Sequence, residues 1–359
     1  MDLTTAKEKL HAWIRDAKSI CILGHTGPDG DCAGSTLGVR NYIENMTRDN
    51  EVSEAQETGG KTAQEQISDS KKETEPKGKE VQVYLEPFSN KFSYLAGYET
   101  VCHEPDKDTV YDLCIVCDCA DEKRLGKFAH FLKTAKQSFC VDHHYTNEGF
   151  ADCSVICPDA SSTCEVLYDL MNPKWIDRAV AECIYTGIIH DTGVFRYSST
   201  SPHTMEIAGK CMAFGFPFGE IIDDSFFSMT FLQKQVLGHV LSGISEWLSG
   251  RVVYAAIDRK TMDQFGVGNK EMDGFIDQLR TTRGALCAVF LYQAKDGQYK
   301  VSLRSNSDQL NVAAVAQAFG GGGHIKAAGC FMGPDADADR EQILAEIKKQ
   351  IGGTDDEPV

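Results

Sequence analysis

This sequence of 359 residues lacks four features: long apolar runs, an export signal, a P-loop and an excess of positive charge. No run approaches the roughly eighteen apolar residues of a transmembrane helix, so no membrane partner is expected. Residues 1–8 lack the apolar core that secretion requires, and we therefore expect a cytoplasmic protein. No GxxxxGKS or GxxxxGKT pattern occurs, which excludes a P-loop. The net charge of −17 argues against a duplex DNA partner, because such binding needs many cations to neutralise phosphates.

Cysteine, by contrast, is frequent, with 14 residues in a chain that is 42% hydrophobic. The cysteines lie within apolar segments, which favours buried reduced thiols over disulfides. Cys114 and Cys117 form a CxxC pattern, but the pattern sits in an apolar run and no second CxxC accompanies it. A zinc site at these two residues is therefore a minor alternative.

The chain divides into segments of different composition. Alternating strand and helix patterns predict an α/β protein with an N-terminal, doubly wound, mainly parallel sheet and a smaller C-terminal α/β domain. Residues 47–80 are polar and lack aromatic residues, which predicts a disordered insertion. The predicted segments are a domain at 1–200 that contains this insertion, a helical linker at 201–248, a second domain at 249–352 and an acidic tail at 353–359.

Hydrophobic periodicity also places the individual elements. In the first domain the predicted strands are 19–24, 81–85, 112–116 and 138–141, and the predicted helices are 3–18, 32–46, 161–171 and 176–190. In the second domain the predicted strands are 252–257, 285–290 and 299–304, and the predicted helices begin near 311 and 325 and span 338–351.

Acidic and imidazole side chains follow the predicted strands of the first domain. Because ligand sites form at the carboxyl ends of parallel strands, we expect these side chains to converge. Such a concentration of carboxylates either raises their pKa values or binds cations. They are His25, Asp29 and Asp31 after the first strand, Asp118 after the third, Asp142, His143 and His144 after the fourth, and Asp191 after the helix 176–190.

A mixture of imidazole and carboxylate ligands suits Mn, Fe, Co or Zn, whereas an all-oxygen shell would suit Mg. Even six ligands from this set are too many for one tetrahedral zinc ion. They suit two metal ions that share a carboxylate and activate water for attack at phosphorus. Three of these residues have a structural alternative: Asp31 as a helix N-cap, Asp118 as the start of a helix, and His25 as a buried structural histidine.

A glycine-rich segment, 320–323, precedes His324 and the predicted helix at 325–328. Glycine allows close approach of a backbone to a ligand, and a helix N-terminus presents free N–H groups to an anion. Arg304 and Ser305 end the preceding strand, where a guanidinium can bind phosphate. A flexible turn beside a surface arginine is the alternative.

These segments resemble the sequence motifs of the DHH phosphoesterases. The resemblance covers the chain except 47–80 and the tail, and its length is similar to the small members of the nano-RNase or bifunctional oligoribonuclease and pAp phosphatase type. The residues that carry it are His25-x-x-x-Asp29-Gly30-Asp31, Asp118, Asp142-His143-His144 and Asp191-Thr192-Gly193 for the DHH domain, and Arg304-Ser305, Gly321-Gly322-Gly323-His324 and Ala327-Ala328-Gly329 for the DHH-associated C-terminal domain.

The resemblance implies two Mn²⁺ ions per chain, with Mg²⁺, Co²⁺ or Zn²⁺ as alternatives. It further implies that Asp142 orients His143 or the adjoining loop, that His144 contacts the scissile phosphate or the leaving oxygen, and that the substrate lies in a cleft between the domains. The implied ligands are His25, Asp29 and Asp118 for one ion, and Asp31, Asp118, His143 and Asp191 for the other. The implied substrate-binding residues are Arg304, Ser305, Gly322, Gly323 and His324.

The expected function is a Mn-dependent phosphohydrolase of short single-stranded RNA (di- to pentanucleotides), pApA and pAp. The alternatives are a cyclic di-AMP phosphodiesterase, an inorganic pyrophosphatase of the same superfamily, which the glycine segment with His324 disfavours, and a nucleotide sensor, which the complete set of candidate ligands disfavours. A homodimer is left open. Cys119 replaces a small hydroxyl residue common in the family, and its thiol is expected near the metals.

Overall fold

Strands and helices alternate along the first half of the chain, as the sequence predicts. The computed structural model describes residues 2–57, 79–106 and 108–352, and the chain divides into two compact units, Met1–Ser225 and Phe226–Val359. None of the helices in the described ranges combines the length and the apolar character that crossing a membrane demands.

The first unit is built around a parallel sheet. Its elements are α1 (Leu3–Asp16), β1 (Ser19–Leu23), α2 (Gly30–Glu57), β2 (Glu80–Tyr84), β3 (Leu113–Cys117), α3 (Ala129–Thr134), β4 (Gln137–Asp142), β5 (Cys153–Ile156), α4 (Thr163–Leu170), α5 (Arg178–Asp191), α6 (Pro202–Met212) and α7 (Phe218–Ile222).

The five strands follow the order β2-β1-β3-β4-β5, and every neighbouring pair is parallel. β3 is buried along its whole length, which its uninterrupted apolar sequence explains, because central parallel strands are covered on both faces. The chain leaves β1 for β2 on one side and returns to β3 on the other. This reversal opens a crevice at the carboxyl ends of β1 and β3, where sheets of this type bind ligands.

Two glycines allow α2 and α5 to pack closely. A Cβ atom at Gly34 in α2 would lie 2.5 Å from the carbonyl oxygen of Cys183 in α5. A Cβ atom at Gly187 in α5 would collide with the Asp31 carboxylate and the Cys164 sulfur. The absence of both side chains therefore lets the first turn of α2 approach the last turns of α5.

The second unit contains a mixed sheet with helices on both faces. Its elements are α8 (Phe231–Ser242), β6 (Ser245–Trp247), β7 (Val252–Ile257), α9 (Arg259–Phe265), α10 (Phe275–Arg280), β8 (Cys287–Gln293), β9 (Tyr299–Ser305), α11 (Val312–Gln317), β10 (Gly322–His324), β11 (Ala327–Met332) and α12 (Ala336–Ile351). The strand order is β10-β11-β9-β8-β7-β6, with only the β7–β8 pair parallel among these. α11 and α12 pack on one face, and α8, α9 and α10 on the other. The predicted fold class is confirmed.

Two local predictions differ from the structure, and the prediction of reduced thiols agrees with it. α2 continues to Glu57, so residues 47–57 are helical rather than disordered, consistent with their many helix-forming glutamates; residues 58–78 of the predicted insertion lie outside the described residues. Strands β5 and β6 were not predicted, because each has only three or four residues. The fourteen cysteines are free thiols, and Cys114 and Cys117 are buried in β3.

The helix predicted at 325–328 is wrong, and the segment forms the β10–β11 hairpin instead. Gly322, Gly323 and His324 pair with Gly329, Ala328 and Ala327. Gly323 has a φ of 145°, and a Cβ atom there would lie 2.5 Å from the carbonyl oxygen of Ala327. The glycines therefore permit tight strand pairing and do not present a helix N-terminus.

A Gly323→Ala substitution tests the hairpin. The positive φ and the contact with Ala327 predict a loss of at least about 1 kcal/mol in the free energy of unfolding. Gly322→Ala is the control, because its Cβ would have no atom within 4 Å. Denaturant unfolding measures both. A Gly323→Ala variant as stable as the Gly322→Ala control would contradict the close strand pairing at Gly323.

Candidate metal centre

Asp118 lies at the centre of the site. It follows β3 with a left-handed backbone, φ 54°, and the residue is only 2% exposed. Asp118 Oδ2 is 3.5 Å from His25 Nε2, and Oδ1 is 3.8 Å from His143 Nε2 and 3.6 Å from His144 Nδ1. Its backbone N–H donates to the carbonyl of Val141 at 3.0 Å. One buried carboxylate thus contacts three imidazoles, and Asp118 is not the start of a regular α-helix.

His25 and Asp29 lie on one side of Asp118. His25 Nδ1 donates to the carbonyl of Thr26 at 2.9 Å, so Nε2 faces the carboxylates and is 3.7 Å from Asp29 Oδ1. Burial alone would lower the pKa of His25, but Asp118 and Asp29 raise it to about 10. Burial would raise the pKa of Asp29, but His25 holds it at about 2. Asp29 Oδ1 also accepts the N–H groups of Asp31 and Cys32, each at 3.1 Å. Asp29, and not Asp31, therefore caps α2.

Asp31 is completely buried and contacts the start of another helix, α4. Its Oδ2 accepts the N–H of Thr163 at 2.6 Å, and its Oδ1 accepts the N–H of Cys164 at 3.0 Å. Burial, with the nearby charges of Asp118 and Asp191, raises the pKa of Asp31 well above its usual range. The carboxylate is thus held by the N-terminus of α4 in a place that favours an added positive charge.

His143 and Asp191 lie on the other side of Asp118. His143 Nε2 is 3.0 Å from Asp191 Oδ2, and its Nδ1 donates to the carbonyl of Ala160 at 3.3 Å. Burial would lower the pKa of His143, but Asp191, Asp31 and Asp118 raise it to about 10. Burial and Asp118 raise the pKa of Asp191 to about 6, against the lowering effect of His143. His25 and His143 therefore both aim Nε2 at carboxylates.

Asp142 and His144 form a hydrogen-bonded pair at the end of β4. His144 Nδ1 donates to Asp142 Oδ1 at 2.7 Å, and the same oxygen accepts the backbone N–H groups of His143 and His144 at 2.8 and 3.3 Å. Asn147 Nδ2 donates to Asp142 Oδ2 at 2.8 Å. Burial would raise the pKa of Asp142, but these donors hold it below its usual value. Asp142 itself raises the pKa of His144. Asp142 therefore fixes the ring of His144 and the backbone of the loop.

The described residues contain three groups whose donor atoms lie within 4.8 Å of one another, close enough to hold a metal ion. Asp118 belongs to two groups and His143 to two. Asp29 belongs to none of them, although its carboxylate contacts His25. The groups are His25, Cys32 and Asp118; Asp118, His143 and His144; and Asp31, His143 and Asp191. The structure thus brings together all the side chains that were predicted in the first domain.

Three contributors were not predicted from the sequence. Thr163 Oγ1 donates to Asp118 Oδ1 at 3.2 Å, while its backbone N–H binds Asp31, so one residue joins two candidate ligands. Cys32 is the thiol beside His25 and Asp118, whereas the Cys119 thiol, expected near the metals, donates to the carbonyl of Asp121 at 3.1 Å. Asn147 holds Asp142. One sequence signal could have indicated the role of α4. The hydroxyl residues 161–163 are typical of a helix N-terminus, and that N-terminus binds Asp31.

The candidate substrate residues of the second unit lie on β9 and β10. The strand register places His324 opposite Ala327 and Ala327 opposite Arg304, so the three share one face of the sheet. Arg304 Nε is 3.8 Å from Asp277 Oδ1. Ser305 is 5% exposed, and its hydroxyl donates to the carbonyl of Ser307 at 2.9 Å. Arg304 and His324 therefore lie on the same sheet face, whereas the hydroxyl of Ser305 binds within its own turn.

Both halves of the chain match sequence models of known domain families. The sequence model of the N-terminal domain of the DHH family matches residues 19–188. The model of the DHHA1 domain matches residues 249–353.

Two curated relatives and one solved structure are similar over most of the chain. The "bifunctional oligoribonuclease and PAP phosphatase NrnA" of Thermus thermophilus is 26% identical over 92% of this chain and 90% of that protein. The "cyclic-di-AMP phosphodiesterase GdpP" of Geobacillus thermodenitrificans is 24% identical over 94% of this chain but 48% of that protein. An exopolyphosphatase-related protein from Bacteroides fragilis has the same fold, with a TM-score of 0.79, 21% identity and 96% coverage of both chains.

Thr163→Val tests the link between α4 and the metal centre. Valine keeps the size and the backbone N–H but removes the hydroxyl that binds Asp118. We expect the dissociation constant for Mn²⁺ to rise about tenfold, as is usual when a partner of a metal ligand is lost. Calorimetric titration of the metal-free protein measures it, with Thr163→Ser as the control that keeps the hydroxyl. Wild-type affinity in the valine variant would contradict a positioning role.

Proposed function

Because this chain is a phosphoesterase of the DHH family that acts on nucleotides, we propose that it hydrolyses short oligoribonucleotides, pApA and pAp, using two Mn²⁺ ions. The observation that carries the proposal is the position of Asp118, a buried carboxylate in contact with three imidazoles and shared by two candidate metal groups. The Thermus thermophilus relative, named for both activities, supports this substrate class.

The donor set fits divalent cations. Nε2 atoms of two histidines and several carboxylates converge, and the carboxylates raise the pKa of His25 and His143, so the site favours positive charge. Imidazole with carboxylate suits Mn²⁺, with Mg²⁺, Co²⁺ or Zn²⁺ as alternatives. We assign His25, Asp29 and Asp118 to one ion, and Asp31, Asp118, His143 and Asp191 to the other. When bound, the two ions would activate water and neutralise charge on the phosphoryl group.

The protein residues would orient the substrate and move protons. Asp142 accepts the Nδ1 proton of His144, which leaves Nε2 of His144 as the atom that contacts the scissile phosphate or the leaving oxygen. Asp142 thereby keeps one ring orientation, as the carboxylate does in other Asp–His pairs. Asp142 and His144 are the proposed catalytic pair.

The second unit would bind the rest of the nucleotide. Arg304 and His324 share one sheet face with the small Ala327 between them, which leaves backbone and methyl surface open to a ligand. We assign Arg304 to a phosphate distant from the cleaved bond, and we assign Gly322, Gly323 and His324 to the nucleotide beside it. Ser305 would support the turn that holds Arg304. A few cations of this kind make the local charge favourable for an anionic substrate, although the net charge of the chain is −17.

Cyclic di-AMP is the second candidate substrate. The similarity to the Geobacillus thermodenitrificans phosphodiesterase supports it, although this chain spans about half of that protein's length. Cyclic di-AMP and the oligoribonucleotides both place a phosphodiester at the same centre, and they differ in whether the substrate has a free end.

Product analysis with Mn²⁺ tests the proposal. Wild-type protein is incubated with pApA, a five-residue RNA, pAp, cyclic di-AMP and pyrophosphate, and products are followed by chromatography. We expect stepwise release of mononucleotides and dephosphorylation of pAp. Faster turnover of cyclic di-AMP would favour the second candidate, and turnover of pyrophosphate alone would overturn both. Asp118→Ala is the inactive control, expected to lose at least about 10³-fold in turnover because the shared ligand is removed.

Arg304→Ala tests the role of the second unit. We expect KM for pApA to rise about tenfold or more, because a charge-assisted hydrogen bond to phosphate is lost. Hydrolysis of bis(p-nitrophenyl) phosphate, which has no distant phosphate, is expected to stay within about twofold of wild type. Steady-state kinetics on both substrates measures the difference. Equal losses of kcat/KM on both substrates would contradict the assignment of Arg304 to the distant phosphate.

A further inference from the structure

The chain reverses through three consecutive left-handed residues just after Asp191. Gly193, Val194 and Phe195 have φ angles of 53°, 58° and 61°. The left-handed region is unfavourable for non-glycine residues, and most of all for a β-branched residue such as Val194. Such conformations cost about 1–3 kcal/mol each, and they concentrate at functional sites. The fold therefore maintains strain next to a candidate metal ligand.

Specific hydrogen bonds hold this turn. The N–H of Val194 donates to the carbonyl of Ile189 at 2.8 Å, and the N–H of Phe195 donates to Thr192 Oγ1 at 3.0 Å. The ring of Tyr197 occupies the space where a Cβ atom of Gly193 would lie. The turn is thus fixed from three directions.

The turn presents Arg196. Its backbone N–H donates to the carbonyl of Thr192 at 2.8 Å, and its Nε donates to the carbonyl of Gly193 at 2.8 Å. The base of the guanidinium is therefore tied to the turn, while the two Nη groups are not used in these bonds. Among the residues that the structure describes, no carboxylate lies within ion-pair distance of Arg196, whereas Arg40 pairs with Glu44 and Arg259 with Asp263.

A guanidinium of this kind suits an anion with several oxygens. Nη groups bind two phosphate oxygens in a bidentate manner, and tying Nε beforehand reduces the entropy lost on binding. Position supports the same chemistry. Arg196 Nε is tied to the carbonyl of Gly193. Gly193 follows Asp191 by two residues, so the Cα atoms of Gly193 and Asp191 lie within about 8 Å of each other. In a chain with a net charge of −17, a guanidinium held here without a carboxylate partner is available to an anionic ligand.

We propose that Arg196 binds the scissile phosphoryl group of the substrate, and that the strained turn 193–195 exists to hold it there. The proposal rests on the phosphoesterase function proposed above. It gives Arg196 and Arg304 different tasks: Arg196 binds the phosphate that is cleaved, and Arg304 binds a distant one. A loss of Arg196 therefore affects every phosphate ester, whereas a loss of Arg304 affects only nucleotides.

Arg196→Gln and Arg196→Lys test this assignment against pApA and bis(p-nitrophenyl) phosphate. We expect Arg196→Gln to lower kcat/KM at least tenfold on both substrates and to raise the inhibition constant of inorganic phosphate at least tenfold. Arg196→Lys keeps the charge and should recover part of the loss. Arg178→Ala is the matched control, because Arg178 is an exposed arginine at the opposite end of α5, about 20 Å from Asp191.

The outcomes separate the inference from the function on which it rests. Wild-type protein that hydrolyses none of the nucleotides overturns the proposed function. Active wild-type protein with unchanged Arg196→Gln kinetics on both substrates overturns the inference alone. A loss confined to pApA would also overturn it, because Arg196 would then act like Arg304. The melting temperatures of the two variants distinguish a binding role from a structural one. If Arg196→Lys and Arg196→Gln lose stability and activity equally, the arginine only supports the turn.

Discussion

The site depends on one constraint, the burial of the Asp118 carboxylate at the point where the strand order reverses. A charge in that place is unfavourable unless cations surround it. The parallel order β1-β3-β4 brings the loops after these strands together, so His25 reaches Asp118 from one side and His143 and His144 from the other. The backbone at Asp118 is left-handed at this point. The same arrangement that compensates the buried charge leaves imidazole nitrogens and carboxylate oxygens close enough to hold metal ions.

Much of this arrangement could be predicted because parallel sheets place the ends of their strands at one edge. The end of a buried strand fixes the position of an aspartate or histidine that follows it closely. This applies to His25, Asp118 and His143. The contribution of α4 could not be predicted in the same way. Thr163 meets Asp31 and Asp118 only through tertiary packing between segments more than forty residues apart in sequence. Asp31 was the alternative N-cap, but Asp29 has this role. Both are aspartates just before an apolar helix, so the sequence does not distinguish them. The packing of α4 does, because the carboxylate of Asp31 binds α4 and that of Asp29 caps α2.

The second unit shows where local patterns mislead. The segment after the glycines, Ile325-Lys326-Ala327-Ala328, contains good helix formers, and short apolar runs do not distinguish helix from strand. The edge of the sheet beside β9 decides the outcome, because β11 pairs with β9 over six residues and β10 then folds back on β11. The candidate residues stay close together in spite of this error. Arg304 and His324 lie on either side of Ala327 on one sheet face, because strand pairing aligns residues that a helix would separate.

Gly187 connects the packing of the helices to the chemistry of the site. Glycine inside a helix costs about 1 kcal/mol relative to alanine, so α5 is locally weaker at this position than it needs to be. The space that the missing side chain leaves is filled by the Asp31 carboxylate and the Cys164 sulfur. Any attempt to make the protein more thermostable by replacing helical glycines with alanine would thus strengthen the helix and displace a candidate ligand at once. Gly187 is a position at which engineering for heat resistance and preservation of activity point in opposite directions.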